Sequence, residues 1–135
     1  IVWLTIKSYF GKKIKIFGNG KQVRDALYID DLVKFFLKLS KSKKNNNKIY
    51  NIGGGLKNSM SLLELIEILD KKMNKKNKFK KFNWRPGDQK IYISDISRIK
   101  REHRWSPKIN ILRGLDKVIN WIHKNELNIQ KLLKP

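Results

Sequence analysis

At 135 residues, with 40% hydrophobic content and four tryptophans, the chain has enough material for one domain, or for part of a larger one, and a core; this composition disfavours global disorder. The absence of cysteine removes disulfide frameworks, thiolate chemistry and zinc–cysteine sites, no apolar run approaches the roughly 18 residues of a membrane span, and no signal peptide opens the chain, so a cytoplasmic protein is expected. The formal charge of +21 comes from 26 lysines and only 6 arginines, beside 13 asparagines and 18 isoleucines; these residues rise together with A/T-rich codons, and the lysines are scattered over all segments, so the charge reads as solvated lysine instead of a stripe for nucleic acid or an anionic membrane.

The chain opens on isoleucine and enters a hydrophobic, helix-like stretch at once, so a fragment of a longer protein is expected. Ile1 to Phe10 reads as a helix with Trp3, Leu4 and Phe10 among its apolar positions, ended by Gly11. Ile14, Ile16 and Phe17 form a β-favouring run. Gly18-Asn19-Gly20 then supplies residues that tolerate positive φ, so the chain turns there. Val23 to Ile29 is a second extended run carrying Arg24, and Asp30 and Asp31 stand where a helix wants an N-cap acceptor and negative charge. From Asp31 to Lys41 the spacing of Leu32, Phe35, Phe36 and Leu39 predicts one apolar helix face. Ser42 to Lys48 is a solvated loop, Lys48 to Ile52 a short strand, and Gly53-Gly54-Gly55 breaks it.

Ser61-Leu62-Leu63-Glu64 is a capping box opening a helix whose inner face is Leu62, Leu65, Ile66, Leu69 and Met73. A basic loop and a short strand around Phe79 to Trp84 follow. Arg85-Pro86-Gly87-Asp88 has proline early and glycine after it, a turn that holds Arg85 and Asp88 in fixed directions. Ile91 to Ser94 reads as a strand, Asp95 as the cap of a helix with Ile96 and Ile99 inward, and Trp105-Ser106-Pro107 as its end. Asn110 is the expected cap of a last long helix with Ile111, Leu115, Val118, Ile119 and Ile122 on its core face. Leu127 to Pro135 is a lysine-rich tail without a legible function.

An arginine fixed between a Gly-rich turn and a helix start suits a diphosphate, because its guanidinium fork matches phosphate oxygens bidentately; the alternative is a β-hairpin with one exposed arginine. The three-glycine run lacks the spacing of a dinucleotide fingerprint and reads as a close-approach turn, beside which Asn51 could present its amide. His103 and His123 sit in helical contexts with no carboxylate partner apparent, and no metal-ligand cluster is visible. A basic RNA-binding module is the rival class, favoured by the charge and by Trp84 beside Arg85, but no ribonucleoprotein-type aromatic motif is present. A non-catalytic interaction fragment is a second rival.

Phe17-Gly18-Asn19-Gly20-Lys21-Gln22-Val23-Arg24-Asp25, then Leu27-Tyr28-Ile29-Asp30-Asp31-Leu32, resembles a segment of extended short-chain dehydrogenase/reductases, the NAD-dependent epimerase/dehydratase family. Tyr50-Asn51-Ile52-Gly53-Gly54-Gly55, Arg85-Pro86-Gly87-Asp88-Gln89, Trp105-Ser106-Pro107-Lys108 and Gly114-Leu115 with Trp121 match in the same order, from about Trp3 to Ile122. Val2-Trp3, Lys21 to Asp25, Asn58 to Leu65 and Arg85 to Gln89 look most like CDP-paratose (CDP-tyvelose) 2-epimerases; UDP-glucose 4-epimerases and dTDP-glucose 4,6-dehydratases are the alternative. Ala26 departs from the bulkier residues usual in this motif.

The resemblance implies an α/β fold: late strands of a doubly wound, Rossmann-type sheet plus a small mixed α/β substrate-binding subdomain. It makes residues 1–135 the C-terminal, nucleotide-sugar-binding part of an enzyme whose cofactor-binding part is missing, with NAD held mainly by that part. The implied activity is epimerisation by oxidation and re-reduction of a sugar carbon. Position by position, Ile16 and Phe17 would run their backbone past the base, Arg24 and Arg85 would hold the diphosphate, Asp88 would meet the ribose, and Asn51 would lie in the sugar-nucleotide cleft. No catalytic residue is assigned. The family's Tyr-x-x-x-Lys pair is not found: Tyr28 leads to Leu32 and Tyr50 to Gly54, while Tyr9 and Lys13 have the spacing in the wrong place. The fragment alone should be inactive. The implied partner is a nucleotide-diphosphate sugar, with no nucleic acid and no membrane, and the parent enzyme is expected to be a homo-oligomer.

Overall fold

The structure, a computed structural model, describes residues 1–41 and 48–133. Along the chain run α1 (Val2–Tyr9), β1 (Ile14–Phe17), β2 (Val23–Asp25), α2 (Ile29–Ser40), a 3-10 turn (Leu56–Asn58), β3 (Ser59–Ser61), α3 (Leu62–Met73), β4 (Phe79–Phe82), β5 (Ile91–Tyr92), α4 (Ser97–His103), α5 (Ile111–Lys124) and α6 (Glu126–Leu132). β1 pairs in parallel with β4, Ile14 opposite Phe79 and Phe17 opposite Phe82. β2 lies between β3 and β5 and runs parallel to β5. Parallel neighbours need a crossover of about a dozen residues or more, which the helices supply, and the expected mixed α/β class holds. β1 and β2 belong to different sheets, so the Gly-rich turn does not close a hairpin. Among the described residues no helix is long and apolar enough to cross a membrane.

Two units divide these elements. The first comprises Ile1–Gln22, Ser61–Asp88 and Leu112–Pro135. Its alternating strand β1 buries Ile14 and Ile16 completely against Ile66 of α3, with Leu4, Leu62 and Leu63 around them. Ile6, Ile122 and Ile129 form a second cluster with Tyr9, Phe10, Val118 and Leu133. Within the tail, Glu126–Leu132 form a helix, α6, that buries Ile129. α3 starts with the predicted capping box: the Glu64 amide donates to Ser61 Oγ at 3.2 Å and the Ser61 amide to Glu64 Oε2 at 2.7 Å. That amide holds the Glu64 carboxyl below its usual range. Gly18 needs to be glycine twice over. Its φ is +85°, and a Cβ there would lie 2.6 Å from the Trp84 ring.

The second unit comprises Val23–Met60 and Gln89–Ile111. Phe35, Ile99 and Trp105 form its core, ringed by Leu27, Leu39, Tyr50, Ile52 and Ile96. Here several sequence expectations shift. α2 begins at Ile29, with extended Tyr28 at its N-cap and no side-chain cap bond, so Asp30 and Asp31 fall in the first turn. Asp31 is only 3% exposed; its Oδ2 instead accepts the backbone amides of Lys108 at 2.9 Å and Ile109 at 2.8 Å. Long-range backbone donors outbid the helix end for this carboxylate. Phe36 points away from the core face and is 53% exposed, while Phe35 is buried. The extended runs are shorter than their composition suggests: β2 stops at Asp25 and β5 at Tyr92.

Lys48 to Ile52 forms no ladder. That segment is held by side chains, Tyr50 Oη donating to Glu102 at 2.7 Å and Arg98 to the Ile49 carbonyl at 3.1 Å. The predicted loop at Ser42–Lys48 lies, up to residue 47, outside the described residues. Asp95 is not the cap of α4: the N-cap is Ile96, with no side-chain cap bond, and Asp95 stands one residue earlier, its Oδ1 accepting the Ser97 amide at 2.9 Å in an Asx-turn that leads into the helix.

Candidate functional site

In the first unit, β1 ends in Phe17 and the turn Arg85-Pro86-Gly87-Asp88 follows β4, so the β1–β4 pairing delivers Phe17 and the turn to one place. The Asp88 amide donates to the Arg85 carbonyl at 3.1 Å and Gly87 has φ +75°, as a turn with proline second and glycine third requires. The Arg85 guanidinium lies over the Phe17 ring, its carbon 3.8 Å from the ring centre. Such stacking at an exposed site is worth about 0.5–1 kcal/mol, enough to orient the cation and too little to withhold it from an anion. No hydrogen bond or ion pair engages that guanidinium among the described residues.

Phe17, Arg85 and Asp88 line a cleft of about 630 Å³ together with Lys7, Lys15 and Gln22. Three of the predicted residues are thus brought together. Ile16 is close by in sequence, but its side chain is wholly buried, leaving only its backbone to act.

Sequence reasoning passed over Gln22. It is 5% exposed and its Nε2 donates to the Phe17 carbonyl at 2.6 Å, closing the Gly-rich turn from inside. A carbonyl oxygen can only accept, so this bond fixes which end of the amide is which. Gln22 Oε1 is buried and has no partner among the described residues. A buried acceptor left unpaired costs about 1–3 kcal/mol. A polar residue inside the quoted motif was the available signal, but nothing local told that its side chain turns inward.

In the second unit, Arg24 sits on β2 opposite Tyr92. Its guanidinium donates to the Val23 carbonyl at 2.8 Å and the Gln89 carbonyl at 2.6 Å, so the fork is held in one direction by backbone. Asn51 is exposed and outside any ladder. A separate cleft of about 700 Å³ in this unit is lined by Gly54–Asn58 and Ile93–Ser97, among others, and by none of the predicted residues. The three glycines are required by the chain's own packing. A Cβ at Gly53 would stand 2.1 Å from Ser94 Oγ, and one at Gly54 2.1 Å from the Ala26 carbonyl. The Gly55 amide donates to Asp25 Oδ2 at 2.9 Å. Ser94 and Ala26 occupy the Cβ positions of Gly53 and Gly54, and the run lacks the spacing of a dinucleotide fingerprint.

Tyr9, whose hydroxyl bonds Glu126, also lies 3.0 Å from His123 Nδ1, which in turn is 3.0 Å from Glu126 Oε1. His123 therefore has a carboxylate partner that the sequence did not reveal. The bond to Glu126 raises the Tyr9 pKa, the opposite of what an acid/base tyrosine beside a lysine needs. In the second unit the Tyr50 hydroxyl first, then Lys48, hold the Glu102 carboxyl at about 2, below its ordinary 4.5.

The family model described as GDP-mannose 4,6 dehydratase matches residues 3–118. The CDP-paratose 2-epimerase of Salmonella typhi is 38% identical over 119 residues, covering 87% of this chain and 35% of that protein. The UDP-glucuronate 4-epimerase of Thermodesulfobacterium geofontis is 40% identical over 117 residues, with 87% and 35% covered. Among solved structures, the UDP-glucuronic acid 4-epimerase of Bacillus cereus in complex with UDP-glucuronic acid and NAD superposes with a TM-score of 0.81 at 31% identity, over 90% of this chain and 38% of that one. The UDP-glucose 4-epimerase of Thermotoga maritima with UDP-glucose gives 0.77 at 30% identity, over 91% and 38%. The chain spans about a third of the length of the relatives it matches. A family model covering most of the chain, relatives sharing its motifs in order and structures sharing its parallel α/β topology lead to one assignment: the chain belongs to the GDP-mannose 4,6 dehydratase family of NAD-dependent epimerases and dehydratases.

Proposed function

We propose that this chain is the nucleotide-sugar-binding part, the C-terminal portion, of an NAD-dependent nucleotide-sugar epimerase. The observation that carries the reading is the Arg85 guanidinium laid on the Phe17 ring at a cleft shared with Asp88. Arginine is scarce in this lysine-rich chain, and here a proline–glycine turn aims it. In this reading Arg85 holds diphosphate oxygens, each charge-assisted bond contributing about 1.5–3 kcal/mol. Asp88 accepts from the ribose hydroxyls, and the backbone of Ile16 and Phe17 runs past the base. Gripping the non-reacting nucleotide is what positions a sugar carbon for chemistry. Relatives that are themselves nucleotide-sugar epimerases support it.

NAD would supply the hydride acceptor and donor for epimerisation and, in this reading, belongs to the part of the enzyme outside these residues, because Gly53-Gly54-Gly55 lacks the spacing of a dinucleotide fingerprint. With Tyr9 tied to Glu126, the chain alone is expected to be inactive. The lysines remain solvated, and nucleic acid is not a partner in this reading.

The test is nucleotide-sugar binding by calorimetry in the intact protein. Arg85→Ala should weaken binding at least tenfold, about 1.4 kcal/mol, while NAD stays bound. Arg85→Lys should recover only part of it, since lysine keeps the charge and loses the fork. Unchanged affinity in Arg85→Ala would sink the reading.

A further inference from the structure

The turn after β1 carries Gly18-Asn19-Gly20, and the bonds that hold it leave one peptide chemically open. The Gly18 amide donates to the Phe82 carbonyl at 2.9 Å and the Leu63 amide to the Gly20 carbonyl at 3.1 Å, while Gln22 Nε2 donates to the Phe17 carbonyl at 2.6 Å. Asn19 is exposed and bends its side chain back, so that Oδ1 accepts the Lys21 amide at 2.9 Å. A backbone N–H can only donate, so this bond fixes which end of the Asn19 carboxamide is oxygen. The Asx-turn ring it closes contains both the Asn19 side-chain carbon and the Gly20 nitrogen. Neither Asn19 Nδ2 nor the Gly20 N–H has a partner among the described residues. Glycine at this position is demanded by the fold, since its φ is +83° and a Cβ would lie 2.9 Å from the Leu63 side chain.

We propose that Asn19 is a site of spontaneous modification, deamidation through a cyclic imide, and that the isoaspartate it yields slackens the turn beside the nucleotide cleft. The Gly20 nitrogen attacks the Asn19 side-chain carbon and a C–N bond forms. The Gly20 proton passes through solvent to Nδ2, which leaves as ammonia. Water then opens the imide at either carbonyl, giving aspartate or isoaspartate, with no change of oxidation state and no cofactor. The bond from the Lys21 amide draws electron density from the carbonyl under attack, and glycine sets no side chain in the way. The two products act differently. Aspartate keeps the backbone and an acceptor for the Lys21 amide. Isoaspartate routes the main chain through the former side chain and inserts a methylene between Gly18, seated against Trp84, and Gly20, seated against Leu63. This turn separates Phe17, which carries the Arg85 guanidinium, from Gln22, and both line the cleft. The effect on binding rests on the nucleotide-sugar reading above; the modification does not.

The experiment ages the intact protein in mildly alkaline buffer, folded and in urea, and follows it by peptide mass mapping and by methyl transfer from an isoaspartyl methyltransferase. Asn19 should convert at least tenfold faster than any other asparagine, and the folded sample no more slowly than the one in urea. A folded Asn19 that survives while the urea sample converts would overturn the proposal, because the turn would then protect the residue. Calorimetry with UDP-glucose and CDP-glucose reads the consequence. The isoaspartate fraction should bind at least tenfold more weakly, whereas fresh Asn19→Asp, with the charge and without the methylene, should bind as the unaged protein does. Asn19→Ser keeps a side-chain acceptor for the Lys21 amide and cannot cyclise, so its affinity should survive ageing. Unchanged binding by the isoaspartate fraction, or an equal loss on ageing in Asn19→Ser, would overturn the role given to the methylene. If neither sugar nucleotide binds the fresh protein, the nucleotide reading falls by itself and the mass map still decides the modification.

Discussion

Asp31→Ala is the sharpest test of how the second unit is held. The carboxylate is 3% exposed and one oxygen accepts two consecutive backbone amides, Lys108 at 2.9 Å and Ile109 at 2.8 Å. Alanine removes the acceptor and leaves both donors. The Ile109 amide is buried and cannot be rehydrated, which costs about 1–3 kcal/mol. The Lys108 amide is only partly buried and recovers water, so its loss adds about 1 kcal/mol, the net value of an ordinary hydrogen bond. The expected destabilisation is therefore about 2–4 kcal/mol, a large share of the roughly 5–15 kcal/mol of a domain. Asp31→Asn keeps an acceptor oxygen and loses the charge, so it should cost about half as much. Urea unfolding at 25 °C measures the totals, and amide hydrogen exchange at Lys108 and Ile109 should accelerate ahead of the rest. An Asp31→Ala protein within about 0.5 kcal/mol of the parent, the scatter of an ordinary surface substitution, would refute the reasoning, as would asparagine proving as harmful as alanine.

Gly18→Ala meets a φ of +85° and an indole ring 2.6 Å from the new Cβ; the backbone costs about 1–2 kcal/mol and the overlap about 1–3 more, so the urea midpoint should fall and tryptophan fluorescence should shift, whereas an unchanged midpoint would show that Trp84 is not seated against the turn. Glu102 has a folded-state pKa of about 2 against an ordinary 4.5, so its stabilisation is complete above about pH 4.5 and is lost as pH falls through about 2. The stability gap between the parent and Glu102→Gln should therefore be widest at neutral pH and close in strong acid, and a gap independent of pH would contradict the assigned bonds.

What the sequence determined by itself is what depends on neighbours a few positions away. The capping box at Ser61 and Glu64, the apolar spacing of Leu65, Ile66 and Leu69, the positive-φ glycines Gly18 and Gly20 and the Arg85-Pro86-Gly87-Asp88 turn all stand in the structure as read, because period, capping and turn chemistry are local. Family membership was legible for the same reason, as ordered short motifs. Tertiary structure decided the rest through partners far along the chain. Asp31 looked like a helix cap until amides 77 and 78 residues away claimed it. His123 found its tyrosine 114 residues upstream. Phe35 and Phe36 are indistinguishable in composition, and only the placement of Ile99 and Trp105 buries the first and exposes the second. Lys48 to Ile52 has strand composition but no strand beside it, and a ladder needs two. Gln22 reads as an ordinary polar residue after a turn; that its oxygen is sealed from water without a donor follows from the packing around it, and burial is a property of the assembled chain, not of any residue in it.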